Sequence, residues 1–235
     1  MSLRVKITQI EMLEKRGFTH MQNSSGTYPI SDELNYYIGM RKSNPNSILV
    51  RDSLNAYYYR TDKETFDEEV LSETGEKVKI KRTKEVTKTV IVAYAFDPDK
   101  KKQFPYERLK EIVKLLDGAN QPDLIIISEV NLSPDGRNKI ADIKARIQFF
   151  LDEELLTNVI KHKLQPNIIQ IMSLKESMEY CDNNGIKSKS LPFLLREKPI
   201  AKFFNLKEGQ LVVFERLVST TGNIARKSTY IRRVA

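Results

Sequence analysis

TVIVAYAFDP, residues 89–98, and DLIIISEV, residues 123–130, are the two stretches on which the fold turns. Both are dense in β-branched residues, and the first stops at Asp97-Pro98, so both read as buried strands. Between them Pro105 opens a helix whose Leu109, Ile112, Val113 and Leu116 form one stripe, closed by Asp117-Gly118. Two apolar strands joined by a helix make a βαβ unit, which predicts a small layered α/β or α+β structure for this part of the chain. Downstream, Ser133-Pro134 supplies an N-cap and a first-turn proline for a helix bearing Ile140, Ile143 and Ile147. Upstream, Asp52 to Lys88 is polar, charged and weakly periodic, compatible with an irregular excursion or with a hairpin. Before it, Ser31 is placed to cap a helix carrying Leu34, Tyr37 and Ile38 on one side. At the start, Leu3, Ile7, Ile10 and Leu13 recur at helical spacing ahead of Lys15-Arg16-Gly17, predicting an amphipathic helix with glycine in the left-handed cap.

A second organisation begins near Leu155. Ser173 to Glu176 is a capping box, with Leu174, Met178 and Cys181 on one helical face and Asn183-Asn184-Gly185 as the stop. On that face Cys181 reads as a packed core thiol rather than a nucleophile. Pro199 starts a short helix with Ile200, Phe203 and Phe204 inward. Leu211, Val213 and Leu217 alternate with Val212, Phe214 and Arg216 in a strand, and a turn around Gly222-Asn223 leads to a last strand over Thr229 to Val234.

Composition narrows the class. The chain has 235 residues, 40% of them hydrophobic, enough for one substantial core or two modest ones. One cysteine cannot form an internal disulfide, and two histidines beside it make a poor ligand set, so a reducing compartment and no structural metal are expected. The longest apolar run, Val90 to Phe96, is far short of a bilayer span, and no secretory signal is recognisable, so a soluble protein is expected. The net charge of +8 sits wholly in residues 187–235, where eleven Lys and Arg face Glu197, Glu208 and Glu215. Such an asymmetry suits either an acidic partner, protein or nucleic acid, or a solvated basic face.

Familiar catalytic patterns are missing. His20 and His162 lie in segments without the glycine-flanked serine of a hydrolase, and no glycine-rich phosphate cradle occurs. His162 reads as a structural hydrogen-bonding residue. One enzyme reading is a metal-dependent nuclease of restriction type, in which Asp123 and Glu129 would share one face of a strand; the supporting lysine of such sites is replaced by Asn131. A free-standing nucleic-acid binder is a third reading.

The carboxy-terminal third is more specific. Phe150 to Leu156, then Asn158, His162 and Leu164 through Pro166, closely resemble the linker of the common subunit shared by eukaryotic RNA polymerases I, II and III. Leu191-Pro192, Pro199 to Phe204, Lys207-x-Gly209-Gln210-Leu211-Val212 and Arg216 through Gly222 continue the resemblance, and this last block is also the core of the homologous archaeal RNA polymerase subunit. The similarity covers about residues 124–235; earlier it rests on element order alone. It implies an α+β protein with a nuclease-like jaw domain over 1–153, lacking nuclease chemistry, and a small assembly domain over 154–235. By that resemblance the chain is a non-catalytic polymerase subunit without a cofactor, partnered by the largest subunit, other subunits and downstream duplex DNA, and with no membrane. Its place is the nucleus, or a virion or cytoplasmic viral factory if the source is viral. The implied subunit interface involves His162, Pro166, Leu191, Pro192, Pro199, Lys202, Gly209, Arg216, Gly222 and Arg232. The implied DNA-proximal residues are Ser133 and Pro134, with Arg137 and Lys139 just beyond, and contacts there would be to phosphates and independent of sequence.

Several positions depart from the family pattern. Its glycine after the short helix is Asn205, the next-best left-handed residue, and its aspartate before the proline is Lys198, which removes a cap. Its second linker histidine is Ile168. Val218 to Gly222 replaces a Ser-Glu-Thr-Ala-Gly loop, and the longer loop that follows leaves either Tyr230 or Arg232 to match the family's Tyr-Arg pair.

Overall fold

The computed structural model describes residues 1–21, 27–28, 30–44, 54–71, 77–95, 104, 106–114, 122–140, 147–219 and 225–235. They form two units, Met1–Leu156 and Thr157–Ala235.

The first unit runs α1 (Leu3–Lys15), β1 (Thr19–Met21), β2 (Thr27–Tyr28), α2 (Ile30–Ser43), β3 (Ala56–Leu71), β4 (Lys77–Ala95), α3 (Tyr106–Lys114), β5 (Asp123–Ser128), α4 (Pro134–Ile140), β6 (Ile147–Leu151) and α5 (Asp152–Leu155). Its six-stranded sheet has the order β2-β1-β3-β4-β5-β6. The expected βαβ unit is present: Val90 to Ala95 of β4 lie parallel to Asp123 to Ser128 of β5, with α3 between them in sequence. A second follows, since β5 and β6 are also parallel and α4 separates them. Alternation sorts the strand side chains. Ala93, Ala95, Leu124 and Ile126 pack with Leu109 of α3 on one face, while Tyr58 and Tyr94 meet Gln9 of α1 on the other. Both faces are covered, so these strands read as continuous apolar runs.

One open alternative is resolved here, and four expectations change. The segment 52–88 is a hairpin in its greater part: β3 and β4 pair antiparallel from Ala56↔Val92 to Leu71↔Lys77. The strand expected to begin at Thr89 thus begins at Lys77. Ser31 lies one residue inside α2 rather than at its cap, and Asp32 and Glu33 supply the first turn with acid that suits the helix amino end. Helix α4 ends at Ile140, and Ile147 opens β6, so the helical reading of 140–147 is too long; Ile143 lies outside the described residues. Helix α1 buries Leu3, Ile7, Ile10 and Leu13 and exposes Arg4, Glu14 and Lys15, as expected of an amphipathic helix, but its buried side is wider than the apolar stripe. Lys6, Thr8 and Gln9 are buried along with its apolar residues, because α1 is enclosed by neighbours that supply polar partners. Its end is as expected: Gly17 takes φ +77, and Phe18 N–H reaches Leu13 C=O at 3.0 Å.

The second unit contains β7 (Asn167–Ile171), α6 (Leu174–Asn183), β8 (Phe193–Leu194), α7 (Pro199–Phe204), β9 (Leu211–Ser219) and β10 (Ala225–Val234), with 3-10 turns at Val159–Lys161 and Ser188–Ser190. The sheet order is β7-β9-β10-β8; β8 runs parallel to β10 and the other pairs are antiparallel. The capping box forms, with Glu176 N–H donating to Ser173 Oγ at 3.2 Å and Ser173 N–H to Glu176 Oε2 at 2.7 Å. The inward face of α6 is a correction: Cys181 is buried as expected, but Leu174 and Met178 are exposed and Ser177 is buried instead. Ser177 donates to Ser173 C=O at 2.7 Å and accepts from Leu211 N–H at 2.9 Å, tying α6 to β9. Helix α7 starts at Pro199 with no side-chain cap from Lys198, and Asn205 closes it at φ 52, ψ 45. Ile200, Ala201 and Phe203 are its buried residues, with Phe204 half-buried.

Candidate functional site

The second unit carries an open groove of about 490 Å³ built from segments distant in sequence. Buried Leu194, Ile200 and Phe214 lie among its lining. Phe214 and Tyr230, Cα partners across β9 and β10, stack with centroids 5.4 Å apart and 16° between planes. Pro166, Pro199 and the exposed Phe193 and Leu195 extend the apolar lining. Lys198, Arg216 and Arg232 also line the groove, and among the described residues no carboxylate does. Arg232 lies 5.6 Å from the Tyr230 ring centroid, and its Nη1 donates to Phe193 C=O at 3.4 Å. A cation held on an aromatic ring beside an apolar trough suits a ligand that offers both carboxylates and apolar side chains.

Of the residues singled out from the sequence, Pro166, Pro199, Arg216 and Arg232 come together in this groove. The others do not. His162 follows the 3-10 turn at Val159–Lys161, where its Nδ1 accepts from Leu164 N–H at 3.3 Å. Leu191 packs beside Met172, Cys181 and Leu211. The Pro192 carbonyl accepts from Arg233 N–H at 2.9 Å, holding β8 to β10. Lys202 is half-buried within α7. Gly209 is needed for its φ of +86, and its N–H donates to Val234 C=O at 2.9 Å. Next to it, Gln210 Oε1 accepts from Lys207 N–H at 2.6 Å and Nε2 donates to Met172 C=O at 3.1 Å, so the Lys-x-Gly-Gln block is a loop clasp. Gly222 lies outside the described residues. Val159, Gln165, Phe193, Leu195 and Tyr230 line the groove without having been singled out as site residues; of these, Tyr230 had been named as the alternative to Arg232 in the family's Tyr-Arg pair.

In the first unit Ser133 caps α4, its Oγ accepting from Gly136 N–H at 3.1 Å. A Cβ on Gly136 would lie 2.7 Å from Leu132 Cδ2, so a larger residue there would displace the buried Leu132 side chain. Phe104 N–H donates to Asn131 C=O at 2.7 Å and fixes this loop to the segment before α3. Pro134 is exposed, and Arg137 and Lys139 lie on α4, their side chains outside the described portion. The nuclease geometry is not met: Asp123 is in β5, but the strand ends at Ser128 and Glu129 is past it. The charge of Asp123 instead acts on Arg16, whose guanidinium burial pulls below its usual range, while Arg16 Nη1 donates to Gln148 Oε1 at 2.8 Å. Among the described residues no group of three or more His, Cys, Asp or Glu side chains is placed to hold a metal ion. No helix among them is long and apolar enough to cross a membrane.

A buried polar cluster ties α1, α2 and the sheet together. Lys6 Nζ lies 3.2 Å from Glu33 Oε1 and faces the rings of Tyr37 and Tyr94 at 5.7 and 5.4 Å. Tyr58 donates to Glu33 Oε2 at 3.1 Å, Gln9 Nε2 to the Tyr58 hydroxyl at 3.2 Å, and Tyr94 to Gln9 Oε1 at 2.8 Å. Burial lowers the Lys6 pKa against the pull of Glu33, and burial raises those of Tyr58 and Tyr94.

Residues 157–233 match the family described as RNA polymerase Rpb5, C-terminal domain. Over longer stretches the chain is similar to subunit RPABC1 of DNA-directed RNA polymerases I, II and III. It is 26% identical to the Caenorhabditis briggsae protein over 172 residues, covering 69% of this chain and 77% of the relative. The Caenorhabditis elegans protein is 26% identical over 144 residues, 57% of this chain and 68% of the relative. The Dictyostelium discoideum protein is 26% identical over 133 residues, 55% and 66% respectively.

Proposed function

We propose that this chain, whose residues 157–233 belong to the Rpb5 C-terminal domain family, is a non-catalytic subunit of a multisubunit DNA-directed RNA polymerase. The groove of the second unit carries the reading for how it joins the enzyme. An open apolar trough lined by three cations and, among the described residues, by no carboxylate is matched by an acidic segment with apolar anchors, and in our reading the largest polymerase subunit supplies it. Pro166, Pro199, Arg216 and Arg232 then contact the partner directly, while Gly209, Leu191 and Pro192 shape the module that presents them. His162, Lys202 and Gly222 remain candidates for the wider interface.

The first unit serves in this reading as the jaw that faces downstream duplex DNA, with the loop of Ser133 and Pro134 and the cations Arg137 and Lys139 near phosphates. Residues 1–153 and 154–235 are accordingly the jaw and the assembly domain. Work in a cellular polymerase places the chain in the nucleus; a viral polymerase would place it in a virion or a cytoplasmic factory.

A tagged copy purified from its source and analysed by quantitative mass spectrometry should bring down the largest polymerase subunits. The Arg216→Glu variant should bring down less of them at equal expression. Their absence from the wild-type purification sinks the subunit reading; their full recovery with the charge-reversed groove sinks the groove as the docking surface.

A further inference from the structure

Beyond the base of the first unit's sheet, β3 and β4 continue as a two-stranded ribbon. Strand β1 pairs with β3 only over Tyr57 to Tyr59, and β5 pairs with β4 only from Val90 onward. The ladder between β3 and β4 runs on from Arg60↔Lys88 to Leu71↔Lys77. At about 3.4 Å per residue the ribbon is roughly 40 Å long.

Its two strands carry opposite charge. Residues 60–71 contain Asp62, Glu64, Asp67, Glu68 and Glu69 against Arg60 and Lys63; residues 77–89 contain Lys77, Lys79, Lys81, Arg82, Lys84 and Lys88 against Glu85. Where side chains are described, Lys88 reaches Asp62 at 2.9 Å and Glu64 at 3.1 Å, and the side chains of Lys81 and Lys84 are exposed. Strand β4 therefore already pairs, along one edge, with an acidic extended strand.

We propose that the other edge of β4, from Lys77 to Thr89, takes an acidic extended segment of another protein as an added strand. Among the described residues no strand pairs with that edge short of Val90. A ribbon edge of this kind offers backbone N–H and C=O groups for strand addition, and the cations select the sign of the incoming charge. A second copy of the same edge is excluded by like charge. Duplex DNA is a poorer match than a peptide. The acids of β3 stand only about 5 Å across from β4, well inside a Debye length of roughly 8 Å, so a polyanion as wide as a duplex meets both signs. An extended peptide meets the near strand first. The inference goes beyond the polymerase reading and stands independently of the groove in the second unit.

The test uses the full chain and a labelled synthetic peptide with the sequence of residues 60–71, beside a control whose five acids are amides and a short duplex DNA. The acidic peptide should bind about tenfold more tightly than the amide control at low salt. Amide-resolved hydrogen exchange should show alternate amides of Lys77 to Thr89 gaining protection while those of β3 keep theirs. The combined Lys81→Glu, Arg82→Glu, Lys84→Glu chain should lose the acidic peptide and instead take one in which lysines replace the acids; this exchange of preference also shows that the ribbon still folds. Equal binding of the amide control, absence of alternate protection, or deprotection of β3 through strand exchange would overturn the proposal. So would duplex DNA binding at this edge more tightly than the peptide.

Discussion

Replacing Lys6 with methionine tests whether the buried cluster of α1 and α2 is an ion pair or merely a polar packing contact. The Lys6 side chain is 2% exposed and that of Glu33 12%, with 3.2 Å between Nζ and Oε1. Breaking a buried pair from one side costs about 3–5 kcal/mol because the surviving charge is left without its partner. Here Glu33 keeps the Tyr58 hydroxyl at 3.1 Å, and a hydrogen bond to a charged group is worth about 1.5–3 kcal/mol, so the loss should fall at the lower end, about 3 kcal/mol. Adding Glu33→Gln removes the orphaned charge while leaving an acceptor for Tyr58. The double variant should therefore recover to within about 1–2 kcal/mol of the wild type, a coupling that contacting residues in one network are expected to show. Because the chain has two units, the measurement is hydrogen exchange of the Ile7 to Leu13 amides across a urea series on the full chain. Strictly additive losses in the double variant, or a loss below about 1 kcal/mol for Lys6→Met, would refute the ion-pair account.

Three further outcomes rest on other contacts. Ser177→Ala leaves the Leu211 N–H without its acceptor in a buried position and should destabilise the second unit by about 1–3 kcal/mol in denaturant unfolding. Lys198→Asp restores an N-cap to α7 and should stabilise the same unit by about 1 kcal/mol, while lowering recovery of polymerase subunits because the groove loses a cation. In alkali the phenols decide the sign. The folded-state pKa values of Tyr58 and Tyr94 are raised, and that of Tyr37 is pushed up to about 12, so the unfolded chain gives up these protons first and stability falls as pH rises above about 10. Lys6, lowered by burial, works the other way up to its unfolded value of 10.5, and so does Arg16, lowered to about 9, so the three phenols prevail only above about pH 10. Urea midpoints should drop above about pH 10, and Tyr94→Phe should flatten the drop.

Sequence periodicity found the centre of the first unit because its signal is local. The runs around Val90 to Ala95 and Leu124 to Ile127 have no charged residue, which suits a doubly covered strand, and α3 lies between them. The ribbon was harder to read for the opposite reason. Where its side chains are described, Lys63 meets Glu85 and Lys88 meets Asp62 and Glu64 across the strands, and single-strand periodicity does not register a partner's opposite sign. The breadth of the buried side of α1 was hidden for a third reason: Lys6 and Gln9 look like a solvent face until Glu33, Tyr58 and Tyr94, distant in sequence, arrive as partners.

The groove shows the same limit at the level of function. Pro166, Pro199 and Arg216 were reachable from resemblance because each sits in a recognisable block, and Arg232 as one of two matches for the family's Tyr-Arg pair. What joins them is the pairing of β10 with both β9 and β8, which sets Tyr230 on Phe214 and Arg233 beside Phe193. The departures follow from that frame. Asn205 holds the left-handed cap that a glycine would otherwise take, so α7 still ends where Leu206 can turn into the core. Lys198, costly as an uncapped helix start, adds positive charge to a groove that already holds two arginines. A position that weakens the local helix while sharpening the charge of the docking surface is better accounted for by the partner than by the fold. Hence the Lys198→Asp chain should gain stability and lose association together; a gain in both would mean that the groove does not meet an acidic partner.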